Sequence, residues 1–136
     1  MIDVIRYLTY VEAVVEHFEL MRSLEEIRYG VFEHSLIRSA LARPQQAAAY
    51  QNADLAAQAA TLCFGLIKNH PWVGGNKRTA THLTDRFLKM NGMEIVCTTA
   101  EILEMVLAIE SDAWTLAQLE EWMTQHVEPL KAPPEK

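Results

Sequence analysis

Apolar residues recur at three- and four-residue spacing along most of this chain, and that pattern predicts helices nearly throughout. Thr9-x-x-Glu12 is a capping box, followed by Val11, Val14, Val15 and Phe18 at helical spacing. A second helix is predicted over Glu33 to Ala42, stopping near Arg43 because Pro44 disfavours helical geometry in the residue before it. Pro44 to Asn52 carries no apolar stripe and reads as a partly mobile loop. From Asp54, a narrow buried face of Leu55, Ala59, Leu62, Cys63 and Leu66 leads directly into His70. The next helix is predicted from Asn76 to Met90, with Ala80, Leu83, Phe87 and Met90 inward and Asn91-Gly92 as its stop. Thr98-x-x-Glu101 and Thr115-x-x-Gln118 open two more, the last packing through Leu116, Leu119, Trp122 and Met123. Glu94 to Cys97 reads as a short strand, and Pro129 to Lys136 as a frayed tail. The expectation is an all-α fold, one domain over residues 1–128, with at most one short β-hairpin.

Composition narrows this little further. With 136 residues, half of them apolar, the chain is long enough for a real core. No apolar run approaches the roughly 18 residues of a membrane span, and Met1 to Tyr10 lacks a signal-peptide layout. Cys63 and Cys97 have neither metal-site nor disulfide spacing, which points to a reducing cytoplasm, and Cys63 falls on a core stripe. A net charge of −6 argues against broad nucleic-acid binding but leaves room for a local basic site.

The chemistry concentrates in Asn69-His70-Pro71-Trp72-Val73-Gly74-Gly75-Asn76-Lys77-Arg78, between two helical stretches. A loop that only reverses the chain needs Gly, Asn and Pro; it does not also need an imidazole and two cations. Gly74 and Gly75 allow positive φ and close backbone approach to a ligand. The helix that follows starts with unpaired N–H groups, which with the helix dipole make an anion site. Asn76 can cap that helix or hold a phosphate oxygen. Lys77 adds a point charge and Arg78 a planar fork suited to phosphate. His70 stands at the loop entrance as a proton acceptor for an incoming hydroxyl. A base on one side and anion stabilisation on the other is what phosphoryl or nucleotidyl transfer requires.

The run His70-Pro71-Trp72-x-Gly74-Gly75-Asn76-Lys77-Arg78-Thr79-Ala80 resembles the signature of the Fic/Doc superfamily, His-x-Phe-x-(Asp/Glu)-(Gly/Ala)-Asn-(Gly/Lys)-Arg. Lys77 with Thr79-Ala80 is similar to the Doc (death-on-curing) toxin branch, as are Tyr7-Leu8-Thr9 and Ser39 to Gln45. The resemblance implies a compact Fic-fold helical domain with the motif loop and its helix at the centre, and a substrate flap expected within Pro44 to Asn52. It implies a toxin of a toxin–antitoxin pair. Such a toxin moves a phosphoryl group or AMP from a nucleoside triphosphate such as ATP to a hydroxyl of a target protein such as a translation factor. His70 would be the base, Asn76 and the Gly75 backbone would line the anion hole, and Lys77 and Arg78 would grip the phosphates, with Gly74 also in the phosphate-binding loop.

The chain departs from that pattern at Gly74, where the family carries the acidic residue that holds Mg²⁺. A hard cation needs oxygen ligands, so Mg²⁺ is doubtful here; Asp85 is a remote substitute two turns into the helix. Trp72 replaces the usual Phe, Thr81 the second arginine of Fic motifs, and Tyr29 an Asp frequent in Doc-like chains. Losing the metal ligand opens two alternatives. One is metal-independent RNA cleavage by His70, Lys77 and Arg78, with His82 as a second proton-transfer group. The other is a non-catalytic nucleotide- or partner-binding role. No inhibitory (Ser/Thr)-x-x-x-Glu-(Gly/Asn) helix is found; the nearest, Thr124-x-x-x-Glu128, runs into Pro129. Control by a separate antitoxin is therefore expected.

Overall fold

The computed structural model describes residues 4–131. Six helices, α1 (Tyr10–Ser23), α2 (His34–Gln51), α3 (Leu55–Asn69), α4 (Asn76–Met90), α5 (Thr99–Glu110) and α6 (Leu116–His126), surround one apolar core. Two short strands, β1 (Met93–Ile95) and β2 (Val127–Pro129), complete it. The fold is all-α in class, as the periodicity predicts. All three capping boxes form, at Thr9, Thr98 and Thr115, each satisfying two backbone donors reciprocally.

α3 is the central element. Nine of its residues are buried, among them Leu62, Cys63, Leu66 and Ile67, and it packs against α2, α4, α5 and α6. Burial pushes the Cys63 thiol up to about 12, so this cysteine is an inert core residue. α4 lies beside α3 with Ala80, Leu83 and Phe87 inward, the stripe expected from the sequence.

Four expectations need correction. Pro44 does not end α2, which continues to Gln51 and stops at Asn52 in the left-handed conformation. Ile37, Ala40, Pro44 and Ala47 form one buried stripe facing α3, and that packing offsets the roughly 3 kcal/mol a mid-helix proline costs. Small residues make the stripe, so a reading based on large side chains passes over it. The flap placed within Pro44 to Asn52 is therefore helix. In α1 the buried face is Ala13, His17 and Met21, whereas Val11 and Val15 are exposed. Finally, β1 spans Met93–Ile95 rather than Glu94 to Cys97, and its antiparallel partner is β2, beyond α5 and α6. Pro129, expected to begin the frayed tail, pairs with Met93, and the Leu130 N–H donates to the Gly92 carbonyl. Residues 132–136 lie outside the described residues.

Candidate active site at the head of helix α4

Three sets of contacts hold the loop from Pro71 to Asn76. The Asn76 carboxamide closes a ring onto Trp72: Oδ1 accepts from the Trp72 N–H at 3.0 Å and Nδ2 donates to the Trp72 carbonyl at 2.9 Å. The segment Gly30 to Glu33 runs antiparallel beside the loop. Val73 N–H donates to Gly30 O at 2.8 Å, and Phe32 and Glu33 N–H groups share Pro71 O. Beneath, the buried Trp72 ring stacks on His17 at 4.1 Å. The strap edging the motif is thus residues 28–33, from a different part of the chain than expected.

His17 is a residue the sequence reading missed, since a histidine inside an apolar stripe carries no signal of its own. Its Nε2 accepts from the Gly30 N–H at 3.0 Å, so the proton sits on Nδ1, which donates to Thr79 Oγ1 at 2.8 Å. One imidazole therefore links α1, the strap and α4. Burial depresses its pKa from 6.5 to about 4. Between those values the unfolded chain binds a proton the native state refuses, so stability must fall as pH drops through this window. We expect a loss on the order of 3 kcal/mol between about pH 7 and pH 4 from this group. Urea titrations across that range should show it, with the His17 ring nitrogens keeping the Nδ1–H pattern at about pH 5 by NMR. Early protonation of His17 without loss of stability would refute it.

Gly74 and Gly75 are required for different reasons. Gly75 is the N-cap of α4 with φ +70°, a conformation side chains resist. At Gly74 an added Cβ would drive into the Arg28 carbonyl oxygen of the strap. The family's acidic side chain has no room here.

His70 ends α3 in the left-handed conformation (φ 47°, ψ 56°), with its side chain half exposed. A non-glycine residue pays about 1–2 kcal/mol for that geometry. His70→Gly should therefore raise the melting temperature while removing the imidazole, a stability gain of about 1 kcal/mol. A lowered melting temperature would show that the imidazole itself holds the fold.

Beyond His70 the head of α4 is open. Among the described residues, the amides of Gly75, Asn76, Lys77 and Arg78 have no acceptor within the chain, the first helical bond being Thr79 N–H to Gly75 O. Gly75 to Arg78 and Thr81 form one wall of a groove of about 580 Å³; Thr99, Ile102, Leu103 and Val106 of α5 form the other. Arg78 is exposed and, among the described residues, no carboxylate lies within 4 Å of it. The groove runs on along α4 into a smaller one of about 360 Å³ lined by Arg78, His82 and Cys97.

Several sequence candidates are placed differently from expectation. Asn76 does not cap α4, and its carboxamide braces Trp72, so only its backbone amide and one spare N–H remain for a ligand. His82 faces α1, its Nε2 2.8 Å from Glu16 Oε1. Asp85 accepts from the Ile95 N–H and pairs with Lys89 at 2.8 Å. It is no substitute metal ligand. No cluster of three or more His, Cys, Asp or Glu that could hold a metal is present among the described residues. Gly74 is blocked and Asp85 committed, so neither position considered for Mg²⁺ presents a free carboxylate to the loop. The carboxylate that does reach the loop is Glu110, from α5: its Oε2 is 3.1 Å from Lys77 Nζ and 3.4 Å from His70 Nε2. No local motif could have flagged it, because only the packing of α5 brings it there.

A compact helical fold with a His-x-x-x-Gly-Gly-Asn-Lys-Arg loop opening its central site agrees with the family comparison. The Fic/DOC family model matches residues 7–88, more than half of the chain, and the protein belongs to that family. Members are in general nucleotidyltransferases that use nucleoside triphosphates, and they commonly work with antitoxins and protein targets. No curated protein matches the sequence. Among the described residues, no helix is long and apolar enough to cross a membrane.

Proposed function

We propose that this protein is a Doc-like toxin that transfers a phosphoryl group or AMP from a nucleoside triphosphate to a hydroxyl of a target protein. The observation that carries the reading is the open head of α4, where among the described residues four amides and the Arg78 guanidinium have no partner and line a groove, close to an exposed imidazole. Phosphates bind the amides and Arg78, where the helix dipole adds to the attraction. The nucleoside lies along the apolar wall of Ile102, Leu103 and Val106. His70 takes the proton of the target hydroxyl as its oxygen attacks phosphorus. Arg78, Lys77 and the amides balance the charge that develops on the group in transfer.

Incubation with γ- or α-labelled ATP and bacterial lysate tests this and identifies the transferred group. Label on a protein band from either nucleotide supports transfer; no label from either, with nucleotide still bound, leaves a binding protein. RNA cleavage is supported less well, because it calls for a second proton-transfer group and His82 Nε2 is held by Glu16. An antitoxin segment filling the groove would control the site, and co-purification with the product of a neighbouring reading frame tests that.

A further inference from the structure

Glu110 is the last residue of α5 and lies beyond the family-matched span, yet its carboxylate stands between the two site groups of opposite function. One oxygen, Oε2, approaches both Lys77 Nζ (3.1 Å) and His70 Nε2 (3.4 Å). Its position is well anchored. Met105 and Ile109 of α5 are fully buried, and Lys68 of α3 donates to the Ile109 carbonyl at 3.3 Å and pairs with Asp112. The carboxylate is one-third exposed, so each pairing is weak enough to be exchanged for a better one.

We propose that Glu110 is a positioning residue that couples nucleotide binding to the readiness of His70; this rests on the transfer reading above. In the free protein the carboxylate is shared, and the Lys77 ammonium is engaged by Glu110. A polyphosphate offers Lys77 more negative charge than one carboxylate does, and draws the ammonium toward α4's head. Glu110 is then left to His70 alone. It accepts the Nε2–H, which fixes the ring's tautomer and leaves the Nδ1 lone pair for the target hydroxyl. On transfer, the hydroxyl proton moves to Nδ1 as the new O–P bond forms. The P–O bond to the leaving phosphate breaks, that oxygen keeping the electron pair. The imidazolium so formed lies beside the Glu110 carboxylate.

The coupling makes affinity and rate move in opposite directions, which a purely structural role cannot do. Glu110→Gln removes the competing charge but keeps the shape. Binding of a non-hydrolysable ATP analogue should tighten by about 3–10-fold, because Lys77 is released and an anion beside the phosphates is gone. Single-turnover transfer of labelled phosphate or AMP should slow by about 10–100-fold. Glu110→Asp, which keeps the charge, should hold wild-type affinity and recover part of the rate. Unchanged or weaker analogue binding by Glu110→Gln, or an unchanged rate, overturns the coupling while leaving transfer by the wild type intact. If the wild type itself binds no analogue or transfers nothing, the transfer reading fails and the coupling falls with it.

Discussion

His70→Ala is expected to lower single-turnover transfer by on the order of 10²–10⁴ while weakening nucleotide affinity only slightly, because Glu110 is then left to Lys77 and each pairing is weak. The separation follows from where the groups sit. His70 closes α3, whereas the phosphate-binding amides and Arg78 belong to the head of α4. The imidazole is half exposed and, among the described residues, its one ion-pair contact is Glu110 at 3.4 Å, so removing it leaves the loop's supports in place. Those supports are the Asn76–Trp72 ring, the strap bonds of Gly30 to Glu33, and the Trp72–His17 stack. A rate equal to that of the wild type would remove His70 from the role of base. Lost analogue binding would instead mean that the histidine holds the anion site together.

Gly74→Asp is expected to damage the protein rather than restore a metal site. From the sequence alone, an acid at this position promises a gain in Mg²⁺-dependent transfer, because it returns the residue the family uses. The structure reverses that expectation. An added Cβ collides with the carbonyl oxygen of Arg28, a backbone atom that cannot swing aside as a side chain would. Either the loop or the strap must move, and the Val73-to-Gly30 hydrogen bond goes with it. Overpacking of this kind costs about 1–3 kcal/mol. Gly74→Ala isolates the steric part and should lower stability by a similar amount, read as a lower melting temperature with or without Mg²⁺. A stable Gly74→Asp protein with faster Mg²⁺-dependent transfer would refute the steric account. The contrast with Gly75 is informative: there the neighbour is the flexible end of Met21, and the constraint is the positive φ.

The same two glycines mark how far sequence reading reaches. Their presence before Asn76-Lys77-Arg78 is enough to predict a helix start with open amides, and α4 begins at Asn76 as expected. Which backbone atom leaves Gly74 no alternative depends on a strap some forty residues earlier, whose pairing has no local signature. Pro44 fails for a related reason. Its local effect is to stop a helix, and only the fit of Ile37, Ala40, Pro44 and Ala47 against α3 outweighs it. His17 and Glu110 were illegible because each is unremarkable within its own helix and acquires its role from a partner on another.

By itself, the sequence determined what is local: the three capping boxes, the helical periods, the inward stripe of α4, and a nine-residue run whose residue types suit a base beside an anion site. These depend on neighbours a few positions away, where backbone geometry is dictated by residue type. Only the tertiary structure decided which groups are free to act. It tied His82 to Glu16 and Asp85 to the Ile95 N–H, and among the described residues left the α4 amides and Arg78 open. It also carried Glu110 to His70 and Lys77. Side-chain partners separated by tens of residues are chosen by how helices pack, because burial of the whole core outweighs the small energy of any one polar pair.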